Sequence, residues 1–197
     1  MLSSKVLQNR IYVTGEKTLN KNKIAEQSKK WIVESFFDLL YIKPISDISI
    51  TEITENAEID RRTFYRHFKS KDDIISFYIH EASKQYEDII QANMLFDNQS
   101  IASAFFSICY KHKDILKLLY KHNLLYLLLN DLNSIFQKYQ HKFASKEELQ
   151  SENRAFILAY HIGGLWNLLI MWLSDDCKKT PNQMSEIVSE LMEFKQI

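Results

Sequence analysis

Glycine and proline, the residues that most often interrupt regular structure, are scarce in this chain. Only 3 glycines and 2 prolines occur in 197 residues. A β-sandwich or barrel needs many turns, and such turns use these two residues repeatedly. Hydrophobic residues make up 46% of the sequence, which is ample for a buried core. The sequence therefore predicts an all-α fold built from long helices, about nine in number.

Apolar residues recur at helical spacing along most of the chain, which allows individual helices to be placed. The first is predicted over about residues 23–42 and ends before Pro44, because a residue that precedes proline disfavours helical geometry. A pair of short helices and a long helix to about residue 93 follow. Later helices are predicted over about 100–110, 114–121, 124–141 and 146–174. Pro181 is well placed to begin the last helix, which we expect to end near residue 194.

The stretch from Ser49 to Phe68 reads as two short amphipathic helices joined by a tight connection. Ser49 and Glu52 have the spacing of a capping box, and Asp60 is placed to cap the second helix. That second helix interleaves cations, a hydroxyl and aromatic residues. Phe64 and Phe68 are four residues apart, so we expect both to face inward. A helix of this kind, supported by a helix behind it, fits the major groove of DNA.

The first turn of that second helix carries the side chains best suited to reading bases. Arginine can donate two hydrogen bonds to a guanine edge, and a threonine methyl can contact thymine. These pairings make Arg61, Arg62 and Thr63 candidate base contacts, although the sequence leaves open which arginine reads a base. Ser49 and Thr51 are candidate phosphate contacts. The alternative is a solvated helix face with no role in recognition.

Residues 27–80 resemble the DNA-binding domain of TetR-family transcriptional regulators. The likeness is carried by Ile53, Ala57, Thr63, Phe64, Tyr65, His67, Phe68 and Lys71. The run from Arg61 to Phe68, and a later apolar helix with two glycines from Tyr160 to Trp172, are similar to the subgroup that includes dihydroxyacetone-kinase-operon regulators. The family usually has Ala where this chain has Thr54 and Gly where it has Glu58. A left-handed Glu58 would cost roughly 1 kcal/mol relative to glycine.

The resemblance implies a transcriptional regulator that binds a double-stranded DNA operator. It implies that Tyr65, His67 and Lys71 contact the DNA backbone. The complete predicted DNA-binding set is Ser49, Thr51, Arg61, Arg62, Thr63, Tyr65, Arg66, His67 and Lys71. We predict three regions: a flexible basic arm over 1–22, the helix-turn-helix domain over 23–75, and a helical regulatory and dimerisation domain over 76–197. The arm reads either as a disordered tail or as a segment that reaches DNA.

The resemblance also implies a small-molecule effector of unknown identity, bound between helices of the second domain. Aromatic residues and a histidine are candidates to line that pocket, with plain core packing as the alternative: Tyr110, Tyr120, Phe136, Tyr139, Phe156, Tyr160, His161 and Trp166. Gly163 and Gly164 suggest a close helix approach, so we predict a homodimer through the last two helices. The candidate interface residues are Leu165, Leu169, Trp172, Ile187 and Leu191.

Charge and cysteine content agree with a cytoplasmic DNA reader joined to a second module. Residues 1–71 hold 13 Lys and Arg against 9 Asp and Glu, while residues 72–197 hold 12 against 16. The two cysteines, Cys109 and Cys177, are far apart in sequence and suggest reduced thiols. The apolar run from Phe156 to Leu173 predicts a buried helix better than a membrane span, because it contains a histidine, two glycines and an asparagine.

No pattern of an enzyme, a metal site or a cofactor site is found in the sequence. The glycines are Gly15, Gly163 and Gly164, which excludes a glycine-rich phosphate loop. We therefore predict a non-enzyme without cofactor, most simply a ligand-responsive repressor with a near-palindromic operator. One alternative is an activator of the same family that a partner protein or ligand controls. Another is a helical small-molecule-binding protein whose DNA-binding head is vestigial.

Overall fold

A computed structural model describes residues 21–92, 98–143, 148 and 150–193, and nearly all of the predicted N-terminal arm lies outside them. Within the described residues the chain has nine α-helices and a 3₁₀ turn at Ile45–Asp47, and no strand. The helices are α1 (Lys21–Ile42), α2 (Ile50–Asn56), α3 (Arg61–His67), α4 (Lys71–Ala92), α5 (Asn98–Lys111), α6 (Lys113–Lys121), α7 (Tyr126–Phe143), α8 (Arg154–Ser174) and α9 (Pro181–Glu193). The predicted all-α fold is confirmed.

Helices α1, α2 and α3 pack into a small head around a shared apolar core. Ile32 and Phe36 of α1 are fully buried against Ile53 of α2 and Phe64 of α3. The hydroxyl of Ser35 donates a hydrogen bond of 2.7 Å to the carbonyl of Ile53, which ties α1 to the middle of α2. Helix α3 is therefore held by packing on one side and leaves its other side open.

Helix α4 joins this head to the rest of the molecule. The Tyr78 ring contacts Phe37 of α1 with ring centroids 4.9 Å apart. The Tyr78 hydroxyl lies 2.8 Å from Nδ1 of His112, just before α6. Since α4 is continuous from residue 71 to 92, it runs through the predicted domain boundary at 75/76. That boundary stays a prediction.

Helices α5 to α9 form the larger module. Helix α9 packs chiefly against α5, α4 against α5 and α7, and α8 against α6 and α7. Trp172 of α8 is buried, and its ring lies 5.3 Å from that of Phe106 on α5. The Trp172 indole N–H donates to the carbonyl of Lys179, which satisfies the polar group that the burial of this ring requires.

The long helix predicted over about 146–174 is interrupted: residues 148 and 150 are helical, residues 151–153 are not, and α8 begins at Arg154. Ser151 is not helical, and residues 152 and 153 form a turn. The Ser151 hydroxyl accepts from the backbone N–H of Asn153, and the Ser151 carbonyl accepts from that of Arg154. Serine bonds of this local kind compete with helical hydrogen bonds. The prediction of one continuous helix was wrong at residues 151–153, because these polar residues form a turn.

Helix α8 is only partly covered by its own subunit. It is long and apolar enough to cross a membrane by length and composition, and 33% of its most apolar 18 residues are buried. Phe156 is 77% exposed, Tyr160 70% and Met171 66%. The prediction of a buried helix therefore holds for one face only. We call the other face, formed by Phe156, Tyr160, Gly164, Asn167 and Met171, the α8 outer face.

Three helices end in Schellman motifs whose left-handed residue is not glycine. After α2, the Ile59 N–H bonds to the carbonyl of Thr54, and Glu58 has a φ of 54°. The ends of α6 and α8 have the same bonds, with Asn123 at a φ of 57° and Asp176 at 59°. Glu58 thus adopts the left-handed conformation whose cost the sequence raised, and the hydrogen bonds around it offset that cost.

Candidate nucleic-acid interface

The supporting helix α2 begins with the predicted capping box. The Ser49 N–H donates to the Glu52 carboxylate at 2.9 Å, and the Glu52 N–H donates to Ser49 Oγ at 3.1 Å. Lys43 adds an ion pair to the same carboxylate. These hydrogen bonds lower the pKa of Glu52 to about 2, with the Lys43 contact as the largest cause. The start of α2 is therefore well defined, and Ser49 and Thr51 remain exposed beside it.

The recognition helix α3 is positioned by one cap and two aromatic anchors. The Asp60 carboxylate accepts a hydrogen bond of 2.6 Å from the Thr63 N–H. Phe64 is fully buried and Phe68 is 4% exposed, which confirms that both face inward. The Phe68 ring also lies 5.6 Å from that of Phe77 on α4. Cap and anchors together determine which side of α3 faces solvent.

The open side of α3 presents cations and a phenol. Arg61, Arg62 and Arg66 are exposed, and in the part of the chain that the structure describes none of them forms an ion pair. Tyr65 is 50% exposed, and its hydroxyl lies 3.5 Å from the Arg61 guanidinium. Free guanidinium groups on one helical surface can bind phosphates or guanine edges. Contact of these side chains with DNA stays a prediction.

The last two predicted DNA-contact residues also have partners within the protein. His67 Nε2 lies 2.9 Å from the hydroxyl of Ser28 on α1, and burial together with nearby Arg66 lowers the His67 pKa. The Lys71 ammonium donates to the carbonyls of Ile45 and Ile48, at 2.6 and 2.8 Å. Lys71 thus holds the loop before α2 against the start of α4. Sequence reasoning missed this role because it depends on a contact across more than twenty residues.

The predicted effector-pocket residues do not converge on one cavity. A cavity of about 200 Å³ between α5, α7, α8 and α9 is lined by Phe136, Tyr160 and His161 from that set. Tyr139 instead donates to Glu87 on α4, at 3.1 Å. Tyr110, Tyr120 and Phe156 are exposed, and Trp166 packs at the edge of the core.

A second, smaller cavity lies among α4, α5, α6 and α7. It is lined by Tyr78 and Tyr86 of α4 and by His112, none of which was predicted from the sequence to line a pocket. The spacing of Tyr78 and Tyr86 along α4, two helical turns apart, is a signal that could have indicated them. Among the described residues, no group of three or more His, Cys, Asp and Glu side chains could hold a metal ion.

The predicted dimer-interface residues divide into two groups. Leu169 and Trp172 are buried inside the subunit, at 0% and 3% exposure, so they offer no surface to a partner. Leu191 is 53% exposed, and Leu165 and Ile187 are partly buried. A Cβ added at Gly164 would meet nothing within 4 Å, so packing inside the subunit does not require glycine there.

Family models match both parts of the chain. Residues 34–76 match the model described as "Bacterial regulatory proteins, tetR family", and residues 97–194 match that described as "Transcriptional regulator C-terminal region". The two matches together span more than two thirds of the chain. No curated protein is significantly similar in sequence.

Solved structures share the fold at low sequence identity. The chain is similar to "Dihydroxyacetone kinase operon activator DhaS", with a TM-score of 0.54 and 17% identity over 85% of this chain and 95% of that one. It is also similar to the fatty acid degradation regulator FadR from Bacillus halodurans, with a TM-score of 0.56 and 14% identity over 90% and 96% of the two chains. The capped and anchored recognition helix, the two family matches and the shared fold lead to one conclusion: the chain belongs to the TetR family and is a DNA-binding transcriptional regulator.

Proposed function

We propose that this protein is a cytoplasmic, ligand-responsive repressor that binds a near-palindromic operator as a homodimer. The observation that carries the DNA-binding part is the open side of α3. There Arg61, Arg62 and Arg66 are exposed, while Phe64 holds the opposite side in the core. In each subunit α3 enters the major groove, and the two half-sites lie about one helical turn apart or a multiple of it.

Arg61 and Arg62 are proposed to read bases. Arg66 and Lys71, the other Lys and Arg residues of the predicted DNA-binding set, are proposed to bind phosphates. A gel-shift titration against the gene's own upstream DNA tests this assignment. We expect the double variant Arg61→Ala, Arg62→Ala to lose about 2 kcal/mol or more of specific binding, since each good base contact contributes roughly 1–3 kcal/mol. Lys69→Ala, which removes an exposed cation just after α3, is the matched control. If the double variant still bound the operator specifically, Arg61 and Arg62 would not be the residues that read its bases.

The α8 outer face supports the dimer. Phe156, Tyr160 and Met171 present a large apolar surface that the subunit does not cover, and Leu191 of α9 is also exposed. Contiguous apolar surface of this kind marks an interaction site. Gly164 lies within the same face, and open space around it allows a second helix to approach closely. We propose that the α8 and α9 helices of two subunits pack together across a two-fold axis.

Light scattering after size exclusion tests the dimer. Met171→Asp places a charge on the α8 outer face, and burial of an unpaired charge is strongly unfavourable, so we expect a folded monomer. Ser107→Asp introduces the same side chain at an exposed position of α5 and is expected to remain a dimer. A Met171→Asp protein that stays dimeric would exclude this face as the interface.

The sign of regulation has a second candidate, because one structural neighbour is named as an operon activator. A reporter fused to the regulated promoter distinguishes the two when the gene is deleted. Repression predicts a rise in reporter output, and activation predicts a fall. If this protein selected no operator from genomic DNA, the result would instead favour the third alternative, a small-molecule-binding protein whose DNA-binding head is vestigial.

A further inference from the structure

The exposed side of α8 carries a regular stripe with a polar residue at its centre. Five exposed residues follow one another at alternating spacings of four and three: Tyr160, Gly164, Asn167, Met171 and Ser174. We call these five residues the α8 seam. Such alternation is the spacing of a helix surface that faces another helix along its length. Because Asn167 is the middle position, a two-fold axis through it would map the seam onto itself in reverse.

Helix α9 has a different exposed surface. It packs chiefly against α5, and its exposed residues include Glu186 and Glu190 beside Leu191. The α8 seam carries no charged side chain. Charged residues are depleted at the centre of protein interfaces and common at their rims. The seam is therefore suited to the centre of an interface, and α9 to its edge.

Two glycines leave a hollow in the surface of α8. A Cβ added at Gly163 or Gly164 would meet nothing within 4 Å, so the described part of the subunit does not need glycine at either position. Glycine in the interior of a helix is destabilising relative to alanine. We call Gly163 and Gly164 the glycine pair. A cost without any benefit inside the subunit indicates a group from outside that occupies the hollow.

The seam is complementary in size to an antiparallel copy of itself. A helix rises about 1.5 Å per residue, so Met171 lies about 6 Å along α8 from Asn167. In the reversed copy the glycine pair lies at that same height. Ser174 lies about 10.5 Å from Asn167, which is the height of Tyr160 in the copy. Each large side chain thus faces a small residue, whereas a parallel copy would place Met171 against Met171 and leave the two hollows facing each other.

The Asn167 amide has the groups needed to pair with its own copy. Its Nδ2 donates a hydrogen bond of 2.8 Å to the Gly163 carbonyl, which orients the side chain. An amide also has a second N–H and a carbonyl oxygen. Two amides that face each other across a two-fold axis can exchange two N–H···O bonds through these groups. A single polar residue in an apolar seam, satisfied only in one register, selects that register.

We propose that α8 pairs in antiparallel orientation with α8 of a second copy of this chain, with the two-fold axis at Asn167. The two Asn167 amides bond to each other, and each Met171 packs into the glycine pair of the other subunit. This inference rests on the proposed homodimer and adds the register and the residues that determine it.

A disulfide measures the position of the axis. Facing helices about 8–10 Å apart bring a residue on the axis close enough to its own copy for a disulfide. The full chain with Asn167→Cys is treated with oxidised glutathione, which takes up the two electrons as the two thiols join. We expect a covalent dimer on non-reducing gels.

Met171→Cys is the matched control for this crosslink. Its two copies would lie about 12 Å apart along the helices, so we expect crosslinking at least about tenfold slower. The unaltered chain, whose Cys109 and Cys177 are buried, gives the background. If Met171→Cys crosslinked as fast as Asn167→Cys, the axis would lie elsewhere and the proposal would be overturned.

Opposite charges test the same axis without cysteine. Asn167→Asp and Asn167→Lys each place two like charges on the axis of a homodimer, so each should weaken its own dimer about tenfold or more. When the two variants are mixed, the heterodimer should be favoured over both homodimers. Asn167 is exposed within the subunit, so both variants are expected to fold, which circular dichroism checks. A mixture without preference for the heterodimer would contradict the Asn167 pair.

An exchange of large and small residues tests the seating of Met171. Gly164→Met fills the hollow and should weaken the dimer about tenfold, because an overpacked contact is destabilising. Adding Met171→Gly moves the hollow to the facing position and should restore most of the lost affinity. If the double variant dimerises no better than Gly164→Met alone, Met171 does not occupy the glycine pair.

These outcomes separate the register from the proposed homodimer. An unaltered chain that is monomeric by light scattering would overturn both. A dimer that Met171→Asp dissociates, but that shows neither the Asn167→Cys crosslink nor the heterodimer preference, would retain the interface and overturn the register. Operator binding in a gel shift is measured independently of either result.

Discussion

The turn between α2 and α3 offers a direct measurement of backbone strain at the DNA-binding head. Glu58 has a φ of 54° in this turn, where a residue with a Cβ is disfavoured by roughly 1–2 kcal/mol. Replacement by glycine removes that cost but adds about 0.4–1 kcal/mol of chain entropy to the unfolded state. We expect Glu58→Gly to stabilise the protein by about 0.5–1 kcal/mol. For a chain of this size, this raises Tm by about 1–4 °C.

Differential scanning calorimetry at fixed protein concentration measures the effect, because the melting of a dimer depends on concentration. Glu58→Ala removes the same side chain but keeps the strained backbone, so it should not raise Tm. Asn123→Gly changes an equivalent position after α6, where asparagine already tolerates the left-handed conformation, and should gain less. If Glu58→Gly is no more stable than Glu58→Ala, strain in this turn does not limit stability and the reasoning is wrong.

Two further predictions concern contacts that hold the head together. Lys71→Met removes two hydrogen bonds to carbonyls around the 3₁₀ turn, so urea denaturation should show a loss of about 1–3 kcal/mol, whereas Lys69→Met should be close to neutral. The pKa values of His67 and His112 are lowered, so the unfolded chain takes up protons first and stability should fall as pH drops below about 6.5. A urea midpoint that does not change between about pH 7.5 and 5.5 would contradict this. Glu52 does not confuse the test, because its pKa is lowered from 4.5 to about 2 and its effect on stability therefore appears only below this pH range.

Helix ends near the head could be predicted from sequence because the interactions that define them are local. Ser49 with Glu52, and Asp60 with Thr63, are three residues apart, so each cap is complete within one turn. The inward face of α3 follows from the four-residue spacing of Phe64 and Phe68. The same local reasoning failed at residues 151–153, where serine bonding to the backbone interrupts a helix that the sequence pattern favoured.

The regulatory module shows where local reasoning stops. Helix α8 is apolar on most of its surface, so its sequence determined that it would be a helix but not which side would be covered. Packing of α8 against α6 and α7 buries Leu169 and Trp172 and leaves Phe156 exposed. In the same way, the cavity beside Tyr86 and His112 exists only because α4 and the start of α6 meet. The sequence by itself determined the capped, anchored recognition helix, because its bonds span three or four residues. Tertiary packing determined the dimer face and the cavity, because each depends on helices far apart in the chain.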